Sequence, residues 1–217
     1  QGLYLELVVP PTRAALIPWL REGRGDLIAA SLTPTREREV QGVAFSAPYK
    51  WTREVVVARK DDASVRSRAD LAGRTIVVRR SSSYWERAMS LRAEGIAVEV
   101  VEAPEQLETE EIIARVERGQ FDLTIADSHI LDIELAWRSQ VKAAFSLSDK
   151  LGHRWVMRQK NGALLSAVNE FIAREIRSNG LRAIVERYFT NPWRIRRYLR
   201  NRLLNSGTIS PYDEIIR

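Results

Sequence analysis

The stretch Gly23-Arg24-Gly25-Asp26-Leu27-Ile28-Ala29-Ala30-Ser31 returns in outline as Gly119-Gln120-Phe121-Asp122-Leu123-Thr124-Ile125-Ala126-Asp127, 96 positions later. Each copy follows a helix-like segment, turns through glycine, enters a short apolar strand at aspartate and ends on a polar side chain. In an open α/β sheet, ligands sit beyond the carboxyl ends of strands. Two such units imply two α/β lobes, each offering a polar strand end. If the lobes face each other, Ser31 and Asp127 meet across a cleft. The alternative is that Gly-x-x-Asp is a common helix-to-strand turn and recurs by chance.

Outward from these units, strands and helices alternate. Leu3–Val9 reads as a strand closed by Pro10-Pro11, and Thr12 as the N-cap of a helix through Trp19-Leu20. Further strands are expected at 27–30, 55–58, 75–78, 97–101 and 123–126. Helices are expected at 84–93, 108–117, 163–177 and 180–189. This βαβα rhythm predicts parallel sheets with helices on their faces.

Bulk properties narrow the class. A chain of 217 residues with 45% apolar residues can bury a real core. No apolar run approaches the ~20 residues needed to span a bilayer as a helix. There is no cysteine, hence no disulfide and no thiolate metal site, and the two histidines, His129 and His153, are too few and too far apart in sequence for a zinc motif. No metal or cofactor is expected. A net charge of +6 admits nucleic acid or an anionic surface, but no nucleic-acid-binding motif accompanies it, so no nucleic-acid partner is expected. No nucleophile–base–orienter set is evident, and both histidines read as isolated, so the chain is not expected to be an enzyme.

Two segments carry chemistry. Ser31-Leu32-Thr33-Pro34-Thr35-Arg36 follows the first repeated strand. Thr33 suits an N-cap and Pro34 the first helical position, which places Arg36 one turn in. A guanidinium there, beside hydroxyls and free helix-start N–H groups, suits a carboxylate; the alternative is a capped surface helix with Arg36 solvated. The second segment is Ser81-Ser82-Ser83, between a strand and a helix. Its hydroxyls and amides suit an anion or polar ligand, although a plain N-cap explains one of the three.

These residues carry a family resemblance. Gly-x-x-Asp, Ser-Leu-Thr-Pro-Thr-Arg (31–36), Phe45-Ser46-Ala47-Pro48-Tyr49, Asp70-Leu71-Ala72-Gly73-Arg74-Thr75 and the second Gly-x-x-Asp with Asp127 resemble, in order, the family 3 periplasmic solute-binding proteins of the amino-acid-binding type. The resemblance implies a two-lobed, type II α/β fold with a ligand cleft between the lobes. It implies Arg36 on the ligand α-carboxylate with help from Ser31 and Thr33, Asp127 on the ammonium group, and Ser83, with Ser81 and Ser82, at the carboxylate end. Ile17-Pro18-Trp19-Leu20, Ser81-Ser82-Ser83-Tyr84-Trp85-Glu86 and Ser210-Pro211-Tyr212-Asp213 resemble, more narrowly, the regulatory module of the membrane-bound lytic murein transglycosylase F family. That likeness implies a periplasmic, outer-membrane-associated sensor for an amino acid or murein-peptide end. The sensor would be followed in the same chain by a transglycosylase domain and would contact the outer membrane or murein. The alternative is the amino-acid receptor of an ABC transporter.

The resemblance also sets boundaries. Lobe one is expected to span 1–54 plus 156–217 and lobe two 57–153, with Glu54–Ala58 and Arg154–Met157 as hinge strands. Leu3–Val9 matches the family's second strand, so a first strand and helix are expected upstream, in about 40–60 residues. The run Arg194, Arg196, Arg197, Arg200 and Arg202 is expected on one face of an amphipathic helix, either solvated or docked on the next domain or an anionic surface.

Overall fold

Gly23 and Gly119 adopt left-handed backbone angles, φ 82° and 71°, which cost glycine little and are common just past a helix C-terminus. Each lets its chain leave a helix and enter a repeated strand. The aspartates that follow have parallel roles. Asp26 pairs with Arg158 on the neighbouring strand, and Asp122 takes Arg74 in a two-pronged contact, Nε at 2.9 Å and Nη2 at 2.5 Å. The repeat is therefore structural as well as sequential.

A computed structural model describes residues 4–178 and 180. Within them a 3₁₀ turn at Arg13–Ala15 leads into α1 (Leu16–Glu22), then β1 (Leu27–Leu32), α2 (Arg36–Glu39), β2 (Val43–Phe45) and β3 (Lys50–Thr52). The chain continues through β4 (Glu54–Arg59), β5 (Thr75–Arg79), α3 (Ser83–Ala93), β6 (Glu99–Ala103), α4 (Thr109–Glu117) and β7 (Thr124–Asp127). The last elements among the described residues are α5 (Ser128–Leu135), β8 (Val141–Ser146), β9 (Leu151–Arg158) and α6 (Gly162–Arg177).

Two sheets define two lobes. In lobe one the order is β1-β9-β2, all antiparallel, and β3 pairs with the opening residues of β9. In lobe two, β4 lies between β7 and β8, antiparallel to both, and β5 and β6 pair in parallel. A parallel bridge from Ile76 to Leu123 joins these groups. The expected parallel sheets are thus corrected: among the described residues the lobe-one sheet is antiparallel and lobe two is mixed, because the strands that return between the lobes run against their neighbours.

Burial explains the apolar runs. Val55-Val56-Val57-Ala58 is continuous because β4 is covered on both faces. Val56 and Ala58 pack with Leu91, Ile76 and Ile125, whereas Val55 and Val57 pack with Ile113, Val116 and Leu131. In β9, Val156 faces Ile17, Leu20 and Ile28, and its neighbour Met157 faces Val168 and Ile172 of α6. Alternation along a strand thus gives lobe one a core on each side of its sheet.

Several expectations change. Residues 4–10 form no strand, and Tyr4, Leu5 and Val9 are highly exposed. The Thr12 cap gives way to the 3₁₀ turn, and α1 begins only at Leu16. The expected hinge strands each lie inside one sheet: β4 pairs only within lobe two and β9 only within lobe one, among the described residues. The crossings fall instead at Arg53, between β3 and β4, and at 147–150, between β8 and β9. Residues 54–56 therefore join lobe two and 151–153 join lobe one. The expected helices at 180–189, beyond residue 180 itself, and along Arg194–Arg202 lie outside the described residues.

Candidate functional site

The site grows from the ends of β1 and β7. Between Ile28 and Leu32, β1 uses four steps where β9 uses two, from Val156 to Arg154. The surplus is a bulge, and Ser31 within it has φ 53°, among the described residues the one left-handed position not held by glycine. Bulges beside binding sites re-aim a side chain. Here the Ser31 hydroxyl meets the Tyr49 hydroxyl at 2.9 Å. Burial raises the Tyr49 pKa, and the charge of Asp127 in lobe two raises it further. Asp127 is thus near enough for its charge to act on Tyr49.

Phe45-Ser46-Ala47-Pro48-Tyr49 places Tyr49 there. Ser46 is fully buried; its N–H donates to the Trp155 carbonyl and its hydroxyl oxygen accepts from the Trp155 N–H. The Ala47 N–H donates to Asn169 Oδ1 of α6 at 2.7 Å. The motif is thus stitched to a strand and a helix of lobe one.

The arginine differs from expectation. The helix starts two residues later than Pro34. Thr35 is its N-cap, accepting from the Arg38 N–H at 3.3 Å, and Arg36 is the first helical residue, with an exposed side chain. Thr33 is buried. Arg38 turns inward: Nη1 donates to the Thr33 carbonyl and Nη2 to the Ser81 carbonyl of lobe two, each at 2.8 Å. Burial lowers its pKa from the usual value and Glu86 opposes the shift. The pattern Ser/Thr-x-Thr-x-x-Arg occurs twice in overlap, at 31–36 and at 33–38, and the inward-turned arginine ends the second.

The three serines are held by protein groups. Ser81 donates its N–H and hydroxyl to the Glu105 carboxylate, at 2.9 and 2.6 Å. The Ser82 hydroxyl donates to the Arg79 carbonyl and accepts from the Trp85 N–H as the cap of α3. Ser83 lies by Glu54 and lowers its pKa, and Arg87 Nε donates to the same carboxylate at 2.7 Å. Burial pushes the Glu54 pKa up, against these contacts.

Asp127, at the end of β7, is 5% exposed. Its N–H donates to the Tyr84 hydroxyl at 3.1 Å. Its Oδ2 lies 3.0 Å from His153 Nε2, close enough for an ion pair but outside aligned hydrogen-bond geometry, and Oδ1 has no partner among protein atoms. His129, in the first turn of α5, sits 5.2 Å ring to ring from His153 and edge-on to it; its Nδ1 is 3.2 Å from Thr52 Oγ1. Burial, with the nearby Lys50 charge, pushes the His129 pKa down to about 3. The histidines are thus neighbours, not isolated as expected. Their 24-residue separation hid this, because it spans a strand and the crossing between lobes. A separate concavity lined by Arg59, Thr75, Gln120 and Phe121 lies at the opposite ends of β4 and β7 from Asp127.

Two lobes linked by two crossings, with polar strand ends converging between them, match known proteins. Residues 2–191 match the bacterial extracellular solute-binding proteins, family 3. The chain belongs to that family. It is a binding module. It is 37% identical over 190 residues to a "membrane-bound lytic murein transglycosylase F" of Desulfosudis oleivorans, a match covering 87% of this chain and 41% of that protein. It is 27% identical to a protein of the same name from Pseudomonas putida, covering 87% and 39%. The chain thus spans about 40% of the length of these relatives. Among solved structures it resembles the amino acid ABC transporter substrate-binding protein AbpA from Streptococcus pneumoniae bound to L-arginine, with TM-score 0.75, 22% identity, and 87% and 78% of the two chains covered. It also resembles a binding component of an ABC transporter from Wolinella succinogenes complexed with lysine, with TM-score 0.75, 23% identity, and 88% and 80% covered. At these identities the structural likeness supports the type II fold alone.

Proposed function

We propose that this family 3 module is the ligand-sensing regulatory part of a periplasmic, outer-membrane-associated lytic murein transglycosylase, and that it binds an amino acid or the amino-acid end of a murein peptide between its lobes. The observation that carries the reading is the Arg38 guanidinium, based in lobe one and reaching the Ser81 carbonyl in lobe two. A ligand carboxylate is a stronger acceptor than a carbonyl, because both partners of the bond are then charged. Ser31 and Tyr49 line the approach on the same lobe. Asp127, with Oδ1 unpartnered, is the group for the ligand ammonium from the other lobe. Arg38 takes the role first assigned to Arg36, and Ser81 contributes its carbonyl while its hydroxyl stays with Glu105. Ser82 and Ser83 support the start of α3.

A ligand that touches both lobes favours their closed arrangement by its difference in affinity for the two states. Closure would then be passed to a transglycosylase domain elsewhere in the same protein. The ABC-transporter reading draws on the solved structures; the relatives of higher identity favour the transglycosylase.

Calorimetric titration with the standard amino acids and a murein tripeptide tests the reading. At least one should bind, and Arg38→Ala should weaken it by about 2–5 kcal/mol, the cost of stranding a buried charge partner. Binding of none, or wild-type affinity in Arg38→Ala, overturns it.

A further inference from the structure

The chain has two histidines and no cysteine. Both histidines lie against one buried carboxylate. Asp127, His129 and His153 each present one donor atom, and these atoms all fall within 4.8 Å of one another. The three come from separate elements: the end of β7, the first turn of α5 and the lobe-one strand β9.

Hydrogen-bond accounting singles out the same cluster. Buried polar atoms in folded proteins almost always have partners, and an exception calls for an explanation such as an ion. Among the described residues four buried side-chain atoms have no hydrogen-bond partner in the protein. Three of them are Asp127 Oδ1, His153 Nδ1 and His153 Nε2. His153 is completely buried and Asp127 nearly so. A buried Asp–His ion pair alone would satisfy one carboxylate oxygen and one ring nitrogen, leaving the second imidazole beside them without a purpose.

We propose that Asp127, His129 and His153 bind a divalent transition metal of the zinc class at the junction of the two lobes. Two imidazoles and a carboxylate are a donor set for borderline metals such as zinc, not for calcium or magnesium. Around an ion with bonds of ~2.0–2.2 Å, tetrahedral donors stand ~3.4 Å apart. Asp127 Oδ2 and His153 Nε2, at 3.0 Å, already stand near that spacing, and no pair of the three donors, all within 4.8 Å, has to close by more than about 1.4 Å. Thr52 Oγ1, at 3.2 Å from His129 Nδ1, restrains that ring, as neighbouring hydrogen bonds do for metal-binding imidazoles. Three protein ligands leave one coordination position open.

Lys50 opposes the ion. It is paired with His153 across β3–β9, and its charge is felt at both Asp127 and His129. Its second acidic neighbour, Asp132 on α5, gives the ammonium another place to turn, as its flexible stem permits.

The site shares Asp127 with the proposed amino-acid pocket, so metal and ligand ammonium draw on one carboxylate. The test uses the 217-residue chain, treated with chelator and titrated with zinc chloride by calorimetry, while the imidazole nitrogens are followed by ¹H–¹⁵N NMR. The expected result is one zinc per chain with both histidine ring signals shifted. The half-buried His129→Asn should weaken binding by at least about 100-fold, since losing even an outer-shell partner costs roughly 10–100-fold. His153→Gln should act likewise, with circular dichroism checking that it folds. No stoichiometric binding, or zinc binding that survives both substitutions, overturns the proposal. An amino-acid titration of zinc-free protein separates the two readings. Arg38→Ala should lose the amino acid and keep zinc, and His129→Asn should lose zinc and keep the amino acid.

Discussion

Arg38 of lobe one donates to the backbone carbonyl of Ser81 in lobe two at 2.8 Å. A side chain is thus fastened to a main-chain atom across the cleft, and the carbonyl is itself fixed because Glu105 holds the same residue's N–H and hydroxyl.

The two arginines of α2 should separate cleanly in a binding assay. Arg36 is exposed whereas Arg38 is partly buried, with two carbonyl partners. Arg36→Ala should stay within about twofold of wild-type affinity, as surface changes usually leave energies within ±0.5 kcal/mol. Arg38→Ala should weaken binding by at least about thirtyfold, the low end of 2–5 kcal/mol. Equal losses from both would return the carboxylate to Arg36.

The outer bridge between the lobes should matter less. Glu108 Oε2 accepts from Arg13 Nε at 3.2 Å and from buried Arg79 Nη1 at 3.1 Å. Burial works to raise the Glu108 pKa, but the two guanidiniums outweigh it and hold the carboxyl below its usual value. The Arg13 pair is about half-exposed, and such pairs contribute roughly 0–1 kcal/mol. Arg13→Ala, which leaves Arg79 its partner, should enlarge the ligand-free radius of gyration in small-angle scattering and lower ligand affinity by less than about fivefold. An unchanged radius would show that this bridge does not hold the lobes together.

Gly152 is where bulk is least tolerated. A Cβ added there would stand 2.6 Å from Pro48 Cβ, and the residue lies where β3 meets β9 beside a crossing. Gly152→Ala should lower stability by about 1–3 kcal/mol, as overpacking does, and should move Tyr49, next to Pro48. A denaturant melt equal to wild type would refute the close fit.

Acid should loosen lobe two through Arg74. Ser64 and Arg74 hold the Asp62 carboxyl below the usual carboxylate range, and Arg74 and the Thr75 N–H lower that of Asp122. Carboxyls with depressed folded pKa values contribute stability that is complete above their unfolded values, near 4, and is lost as pH falls below them. Asp122→Asn should therefore destabilise the protein at pH 7 and flatten the loss of stability below pH ~4 relative to wild type. Thermal melts across that range would show parallel curves if the network were inert.

The sequence carried the architecture further than the site. Gly23 and Gly119, each followed three residues on by an aspartate, marked both lobes because glycine geometry and strand entry are local. The antiparallel neighbours of β4 and β9 were not legible, since strand direction depends on where the chain returns. Arg38 escaped notice because the pattern ending at Arg36 overlaps one ending at Arg38, and only the fold shows that Thr35, rather than Thr33, caps the helix. Ser81 looked free because Glu105, its partner, sits at the far end of β6. His129 and His153 looked unrelated because only the folded lobes bring β9 beside the start of α5.

The bulge at Ser31 has an evolutionary consequence. A left-handed angle of 53° on a serine costs on the order of 1–3 kcal/mol that glycine would not incur. Ser31→Gly should raise the melting temperature while depriving Tyr49 of its hydroxyl partner. Selection for robustness alone would favour glycine there. The serine marks a trade between durability and recognition, and laboratory evolution for heat tolerance would be expected to change this position early, at the expense of binding.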